Sequence, residues 1–509
     1  MFKYKQYVVN CACSSPPTQE RSRAMPHYPE RLPTGIPGLD TVLMGGLIPG
    51  RTYLIVGRPG TGKTILSLQW LFAGQQRGEP GLYLTLAEPA EELATNITCF
   101  GWTLKDLAVR ELTPIPSMET AGEEYTIFRP EEVESQSVWN AIYQTVQQVN
   151  PSRVVIDSIA QLRALSVDEY QFRKQVLLLV NWLNRRGCTT LLLLDPETAE
   201  LETSIALAVD GVIRLWHEIA PARLITIRGL QVDKMRGSDF LSGVHPFRIT
   251  SAGIVVYPHV IEQPGEASHE QGYIISGIPE LDHMLHGGLE WGTSTIISGP
   301  AGVGKTSLAL QFISQAVKAG LPTAVYSFEE PTSFMRRRAA RLGLSIEEGV
   351  RSGMLQFHDI NPMTMYPDEF LARLREDVER NGRRVVMLDS TRGYNIAMEQ
   401  FGALNVHLHN MLQYLHQKGV TTFLVNEVER LTGELLITEI GVSYIVDNVL
   451  LLRYAEVDGR LMNVVSCLKK RMGDFDPDIR EFRITSEGIK VGHRLEGLRG
   501  VLTGIPERR

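Results

Sequence analysis

Short stretches that are apolar throughout recur along this chain, separated by segments of helix length in which apolar residues return with a helical period. In the first half they fall at 52–56, 82–86, 154–156 and 190–194, and in the second half at 295–298, 324–328, 385–388 and 421–425. A strand with one face in water alternates apolar and polar residues, whereas a strand buried on both faces does not. The pattern therefore predicts parallel strands covered by helices on both sides, which is an α/β architecture.

The pattern also repeats. Gly57-Arg-Pro-Gly-Thr-Gly-Lys63-Thr64 and Gly299-Pro-Ala-Gly-Val-Gly-Lys305-Thr306 each read as Gly, four residues, Gly-Lys and then a hydroxyl residue. Each follows an apolar run and precedes a helical segment, and the offset between them is 242 residues. In such a loop, glycines let backbone N–H groups curl around phosphates. The Lys reaches the β- and γ-phosphates, and the hydroxyl takes a place on Mg²⁺. The nucleotide-binding residues expected are Gly57, Gly60, Thr61, Gly62, Lys63 and Thr64, then Gly299, Gly302, Val303, Gly304, Lys305 and Thr306. Thr34-Gly-Ile-Pro-Gly-Leu-Asp40 answers Ser276-Gly-Ile-Pro-Glu-Leu-Asp282 at the same offset. Near the far ends, Arg248-Ile-Thr-Ser-Ala-Gly-Ile254 answers Arg483-Ile-Thr-Ser-Glu-Gly-Ile489 at 235, a net seven extra residues in the first copy. Two domains follow, expected at 28–262 and 273–492, with a polar linker at 263–272, an N-terminal extension at 1–27 and a short C-terminal segment at 493–509.

Composition narrows the class. Hydrophobic residues make up 43% and charged residues 21% of the 509, an ordinary globular balance. The net charge of −7 argues against indiscriminate binding to nucleic acid or anionic membrane. No apolar run approaches the roughly 20 residues a membrane helix needs. Five cysteines are too few for a disulfide framework, which points to a cytoplasmic protein. Cys11 and Cys13 stand too isolated for a zinc site, and Met25 is a candidate start.

Phosphoryl chemistry needs a carboxylate to organise Mg²⁺ and a group to activate the attacking oxygen. Asp157 and Asp389 each close an apolar run, and with Thr64 and Thr306 they are the expected metal ligands. Glu88, in Leu86-Ala87-Glu88-Pro89, and the pair Glu329-Glu330, in Phe328-Glu-Glu-Pro331, are the candidates for the catalytic carboxylate. The alternative reading of each is plain: a helix-capping Asp, or a solvated acidic turn.

The paired Gly-Ile-Pro-x-Leu-Asp openings, both phosphate loops, Phe328-Glu-Glu330, Phe100-Gly-Trp102 and Lys234-Met-Arg-Gly237 together resemble the double-domain KaiC proteins, within the RecA-like ATPases. The resemblance runs from about Pro33 to about Arg499. It implies two tandem RecA-like P-loop NTPase domains, each a mostly parallel sheet flanked by helices. It also implies a homohexamer with ATP and Mg²⁺ at the subunit boundaries. Lys234 and Arg236, and likewise Lys469 and Arg471, would reach the neighbour's γ-phosphate. Clock members of the family autophosphorylate a Ser and a Thr before a strand of the second domain. Here Ser443 keeps the hydroxyl, and Tyr444 stands where Thr would, a poor stand-in because its oxygen lies further out. A KaiB-like or signalling protein is the kind of partner implied. The twenty residues after Ile489 are fewer than the tail that clock members offer an activator, so that regulation is not implied. Two other classes share the core: a DNA-dependent ATPase of the RecA or RadA type, and a nucleotide-gated scaffold with little turnover. Met335-Arg-Arg-Arg-Ala-Ala-Arg341 and Asn184-Arg-Arg186 read as basic helix faces rather than a DNA-lining loop.

Overall fold

The computed structural model describes residues 30–496 except 87, 113–129, 165, 167, 197–198, 222, 263–264, 266–271, 400, 429–443 and 458, and adds the short strands Leu498–Arg499 and Glu507–Arg508. Side chains at 130–136, 164 and 199–200 are likewise left aside.

The first sheet contains β1 (Thr52–Val56), β2 (Gly81–Thr85), β3 (Ala108–Glu111), β4 (Arg153–Asp157), β5 (Thr189–Leu194), β6 (Gly211–Ala220), β7 (Ile225–Met235), β8 (Val244–Thr250) and β9 (Gly253–Val256). Their spatial order is β3-β2-β4-β5-β1-β6-β7-β8-β9. Neighbours from β3 to β6 pair in parallel, and β6 to β9 continue as an antiparallel meander. Every residue of β1 and β5 is buried, as expected of central strands covered on both faces. Leu54, Val56, Ile156 and Leu192 face one apolar layer, while Tyr53, Ile55, Val155 and Leu191 face the other.

A ribbon of β10 (Tyr273–Ile274) and β11 (Leu289–Glu290) opens the second unit. Its sheet contains β12 (Ser294–Gly299), β13 (Thr323–Ser327), β14 (Leu355–Asp359), β15 (Val385–Asp389), β16 (Thr421–Glu427), β17 (Asn448–Val457), β18 (Arg460–Lys470), β19 (Arg480–Thr485) and β20 (Gly488–Arg494). The order β14-β13-β15-β16-β12-β17-β18-β19-β20 matches the first sheet strand for strand. The duplication read from the motifs is thus a duplication of topology. In both sheets the strand before the phosphate loop lies next to the fifth parallel strand, whose other neighbour ends in the Asp of interest. That order brings three strand ends to one crevice, where ligands bind in open α/β sheets.

The two units touch directly. Tyr366 donates to Thr226 O at 3.1 Å, Arg223 donates to Met365 O at 3.0 Å, and Arg248 donates to Glu369 Oε2 at 2.7 Å. The connection out of β9 is fastened too, with Asn410 donating to Val260 O at 2.8 Å and Glu262 N–H donating to Asn410 Oδ1 at 2.7 Å.

Candidate functional site

Each phosphate loop ends in a glycine that only glycine suits. Gly62 and Gly304 have φ of 104° and 110°, and a Cβ on Gly304 would lie 2.6 Å from Ile484 Cδ1. The helices Lys63–Gln75 and Lys305–Lys318 start at the next residue with no side-chain cap. Their first N–H groups are therefore left for a ligand, and the helix dipole favours an anion there.

In the second site a cavity of about 700 Å³ is lined by Gly302, Lys305, Thr306, Glu329, Asp389 and Glu427, among others. Thr306 donates to Asp389 Oδ2 at 2.8 Å, and Ser390 donates to Glu329 Oε1 at 2.6 Å. Lys305 is buried, donates to Pro300 O at 2.8 Å and lies 3.7 Å from Glu427 Oε2. Burial lowers the Lys305 pKa, opposed by the charges of Glu427 and Asp389. Asp389 is pushed up to about 6, first by burial and then by the charges of Glu329 and Glu330. A carboxylate in this setting gains from a cation beside it. Glu330 lines the same cavity and accepts from Arg338 at 2.7 Å.

The first site has the same frame with different furniture. Thr64 donates to Asp157 Oδ2 at 3.1 Å, and Lys63 donates to Gly57 O at 2.7 Å and pairs with Asp195. Tyr83 also donates to Asp157 Oδ2, at 2.6 Å; Val325 holds the corresponding place on β13. Burial raises the Asp157 pKa, while the bonds from Tyr83 and Thr64 oppose the rise. Glu88 accepts from Asn96 at 2.6 Å. Glu88 and Asn96 stand 242 positions before Glu330 and Arg338, so Glu88 answers the paired outer carboxylate, not Glu329. The place that answers Glu329 is Ala87, which lies outside the described residues.

Lys234, Arg236, Lys469 and Arg471 lie at the other end of their sheets. Lys234 is paired across β6 and β1 with Val212 and Leu54, three residues before the loop begins, about 10 Å along a strand. Lys234 donates to Ala206 O and Val209 O, Lys469 donates to Val446 O, and Arg471 donates to Asp447 Oδ1 at 3.1 Å. Burial lowers the pKa of both lysines. None of these four contacts its own phosphate loop. Ser443 lies outside the described residues, while Tyr444, 62% exposed, sits just before β17 at that same end.

Sequence reasoning brought Thr64 to Asp157 and Thr306 to Asp389, and the structure places each pair within hydrogen-bond reach. It passed over Asp195 and Glu427, although both follow apolar runs it had read as strands. It also passed over Ser390, the residue after Asp389, and Tyr83, for which the sequence carries no signal.

The donors around Thr306, Asp389 and Glu329 are hard oxygens, which suit Mg²⁺. Among the described residues no cluster of three or more His, Cys, Asp or Glu could cage a metal ion. Mg²⁺ needs no such cage when nucleotide phosphates and waters complete its shell. Among the described residues no helix is long and apolar enough to cross a membrane.

The family model described as "ATPase: KaiC" matches residues 32–261 and again 274–496. The circadian clock protein KaiC3 of Synechocystis sp. is 28% identical over 489 residues, 94% of this chain and 94% of its own length. The circadian clock oscillator protein KaiC of Thermosynechococcus vestitus is 27% identical over 97% of this chain and 94% of its own. That of Prochlorococcus marinus (strain MIT 9313) is 27% identical over 94% and 96%. With both copies matched and the strand order of one repeated in the other, this chain belongs to the KaiC family of ATPases.

Proposed function

We propose that the chain is a Mg²⁺-dependent ATPase working as a homohexamer in the cytoplasm, with nucleotide held between neighbouring subunits. In this reading the second domain is also a serine autokinase that phosphorylates Ser443, and the whole acts as a signalling or clock-type switch. The two domains fall at about 28–262 and 273–492. The observation that carries the division of labour is Glu329, bonded to Ser390 and set in one cavity with Asp389, Thr306 and Lys305.

The chemistry follows from that geometry. Lys305 and the free N–H groups of its loop hold the β- and γ-phosphates. Thr306 and Asp389 would hold Mg²⁺, which when bound would spread the charge that develops on the transferring phosphoryl group. Glu329 takes the proton from the attacking oxygen, whether of water or of a serine. Lys469 and Arg471 sit at the end of the sheet remote from their own loop, where they would serve the neighbour's γ-phosphate, as Lys234 and Arg236 would in the first ring.

For the first domain a second reading is favoured by a specific contact. Glu88 is occupied by Asn96, and no glutamate answers Glu329. That site binds ATP, holds the ring together and turns over slowly, as a nucleotide-gated scaffold would. The proposed partners are other copies of the chain and a KaiB-like or signalling protein.

The test is incubation with Mg²⁺ and γ-labelled ATP, followed by phosphosite mapping beside a Ser443→Ala control. Label on Ser443 that disappears in the control is expected. Phosphate release with no label on protein would remove the autokinase and leave an ATPase ring.

A further inference from the structure

A chain of contacts crosses from the first domain into the second site, and no step of the chemistry above uses it. It starts at His259, in the connection after β9. The His259 N–H donates to His245 Nδ1 at 3.0 Å, and His245 Nε2 lies 2.9 Å from Leu241 O. On the second-domain side, His259 Nδ1 lies 3.0 Å from Asp368 Oδ1, near the start of the helix Pro367–Glu379. Asp368 is buried, and His407 Nε2 faces the same oxygen at 3.7 Å. His407 Nδ1 is 2.8 Å from the Tyr394 hydroxyl, and Tyr394 is 1% exposed.

Tyr394 belongs to the helix Thr391–Met398, whose N-cap is Ser390. That helix bears directly on the catalytic candidate. Ser390 Oγ accepts from Gly393 N–H at 3.3 Å while donating to Glu329 Oε1. A Cβ on Gly393 would lie 2.6 Å from Phe328 Cβ and 3.1 Å from Glu329 Cγ, so the helix is pressed against that strand end. The Tyr394 ring meets the Phe328 ring edge-on at 5.2 Å. Any shift of Tyr394 is therefore passed to Ser390 and Glu329.

One link is loose. At 3.7 Å the His407–Asp368 contact is too long for a hydrogen bond, and His407 Nε2 is buried with no hydrogen-bond partner. A movement of less than about 1 Å at the domain boundary would close it. The other charged groups there are engaged: Arg248 with Glu369, and Arg375 with Glu262.

We propose that His259, Asp368, His407 and Tyr394 form a positioning relay through which the first domain holds Glu329 of the second site in its working place. This rests on Glu329 being the catalytic carboxylate. The relay gives the otherwise slow first domain a mechanical say in the rate of the second.

The experiment measures kcat and KM for ATP in the full chain carrying His259→Ala, His407→Phe or both, with Glu329→Gln as reference. A misplacement well under 1 Å predicts a kcat about tenfold lower, with KM within about twofold. The double variant should be no worse than either single one, because both break one chain. His259→Gln, which keeps an N–H donor, should restore most of the rate. His259 is 38% exposed, so its variants are expected to fold even where His407→Phe does not. Wild-type kcat in His259→Ala and His407→Phe, with Glu329→Gln inactive, would overturn the relay and leave the catalytic reading intact. Full activity in Glu329→Gln would instead overturn the reading on which the relay rests.

Discussion

Glu329→Gln slows phosphoryl transfer at the second site by about 10²- to 10⁴-fold, the range expected for losing a positioned general base. The amide keeps the size of the side chain and can still accept from Ser390, so Ser390 and the helix it caps stay in place. What is lost is the ability to take a proton. Glu330→Gln should cost less than tenfold, because Glu330 is paired with Arg338, whereas Glu329 is bonded to Ser390 beside Asp389. Phosphate release and Ser443 labelling, measured on both variants beside wild type, separate the two carboxylates. Equal losses would mean that either residue can serve, and the distinction drawn from their partners would fall.

The second large effect belongs to the cations at the remote end of the sheet. Arg471→Ala, or Lys469→Ala, should lower second-site turnover by about 10³- to 10⁵-fold, the weight of a cation delivered to a transferring phosphoryl group. Arg471 donates to Asp447 Oδ1 and is 55% exposed at its side chain, free to exchange that partner for a phosphate. A contact made between subunits, as proposed, predicts a loss that mixing repairs. Subunits with Lys305→Ala lack a working loop but offer intact Arg471, while subunits with Arg471→Ala offer the reverse. Co-assembled, they should recover turnover that neither has alone. Recovery in mixed particles supports service in trans; no recovery, with assembly intact by gel filtration, would sink it.

Much of this could be read from the sequence, and what could not has a common physical reason. The strands showed themselves because burial on both faces demands unbroken apolar runs, as in Tyr53–Val56 and Leu191–Leu194. The phosphate loops showed themselves because positive φ at Gly62 and Gly304 excludes other residues. Asp195 and Glu427 were legible in principle, since they close strands already recognised. Tyr83 was not, because whether a buried tyrosine meets Asp157 depends on which face of the sheet its side chain takes beside β4. The same holds for Asn96 and Arg338, whose partners are set by packing. The drift from 242 to 235 also concealed larger exchanges. Glu111 and Asp359 both accept from the start of the preceding helix, at Ala90 and Thr332, and stand at an offset of 248, while Asp157 and Asp389 stand at 232. Insertions of opposite sign cancel in part, leaving the net seven. The domain contacts at His259, Arg248 and Tyr366 left no mark in the sequence, since they join residues more than 100 positions apart.

The inequality of the two sites is the centre of this account, and phosphate release from chains with one working loop tests it most directly. Chains carrying Lys305→Ala should assemble and retain ATP in the first site, yet release phosphate at least about 100-fold more slowly than wild type, for want of a carboxylate where Glu329 stands. Assembled chains carrying Lys63→Ala should keep most of the turnover. Release near the wild-type rate from Lys305→Ala would contradict the account, because the first site would then turn over ATP without the residue held to be essential.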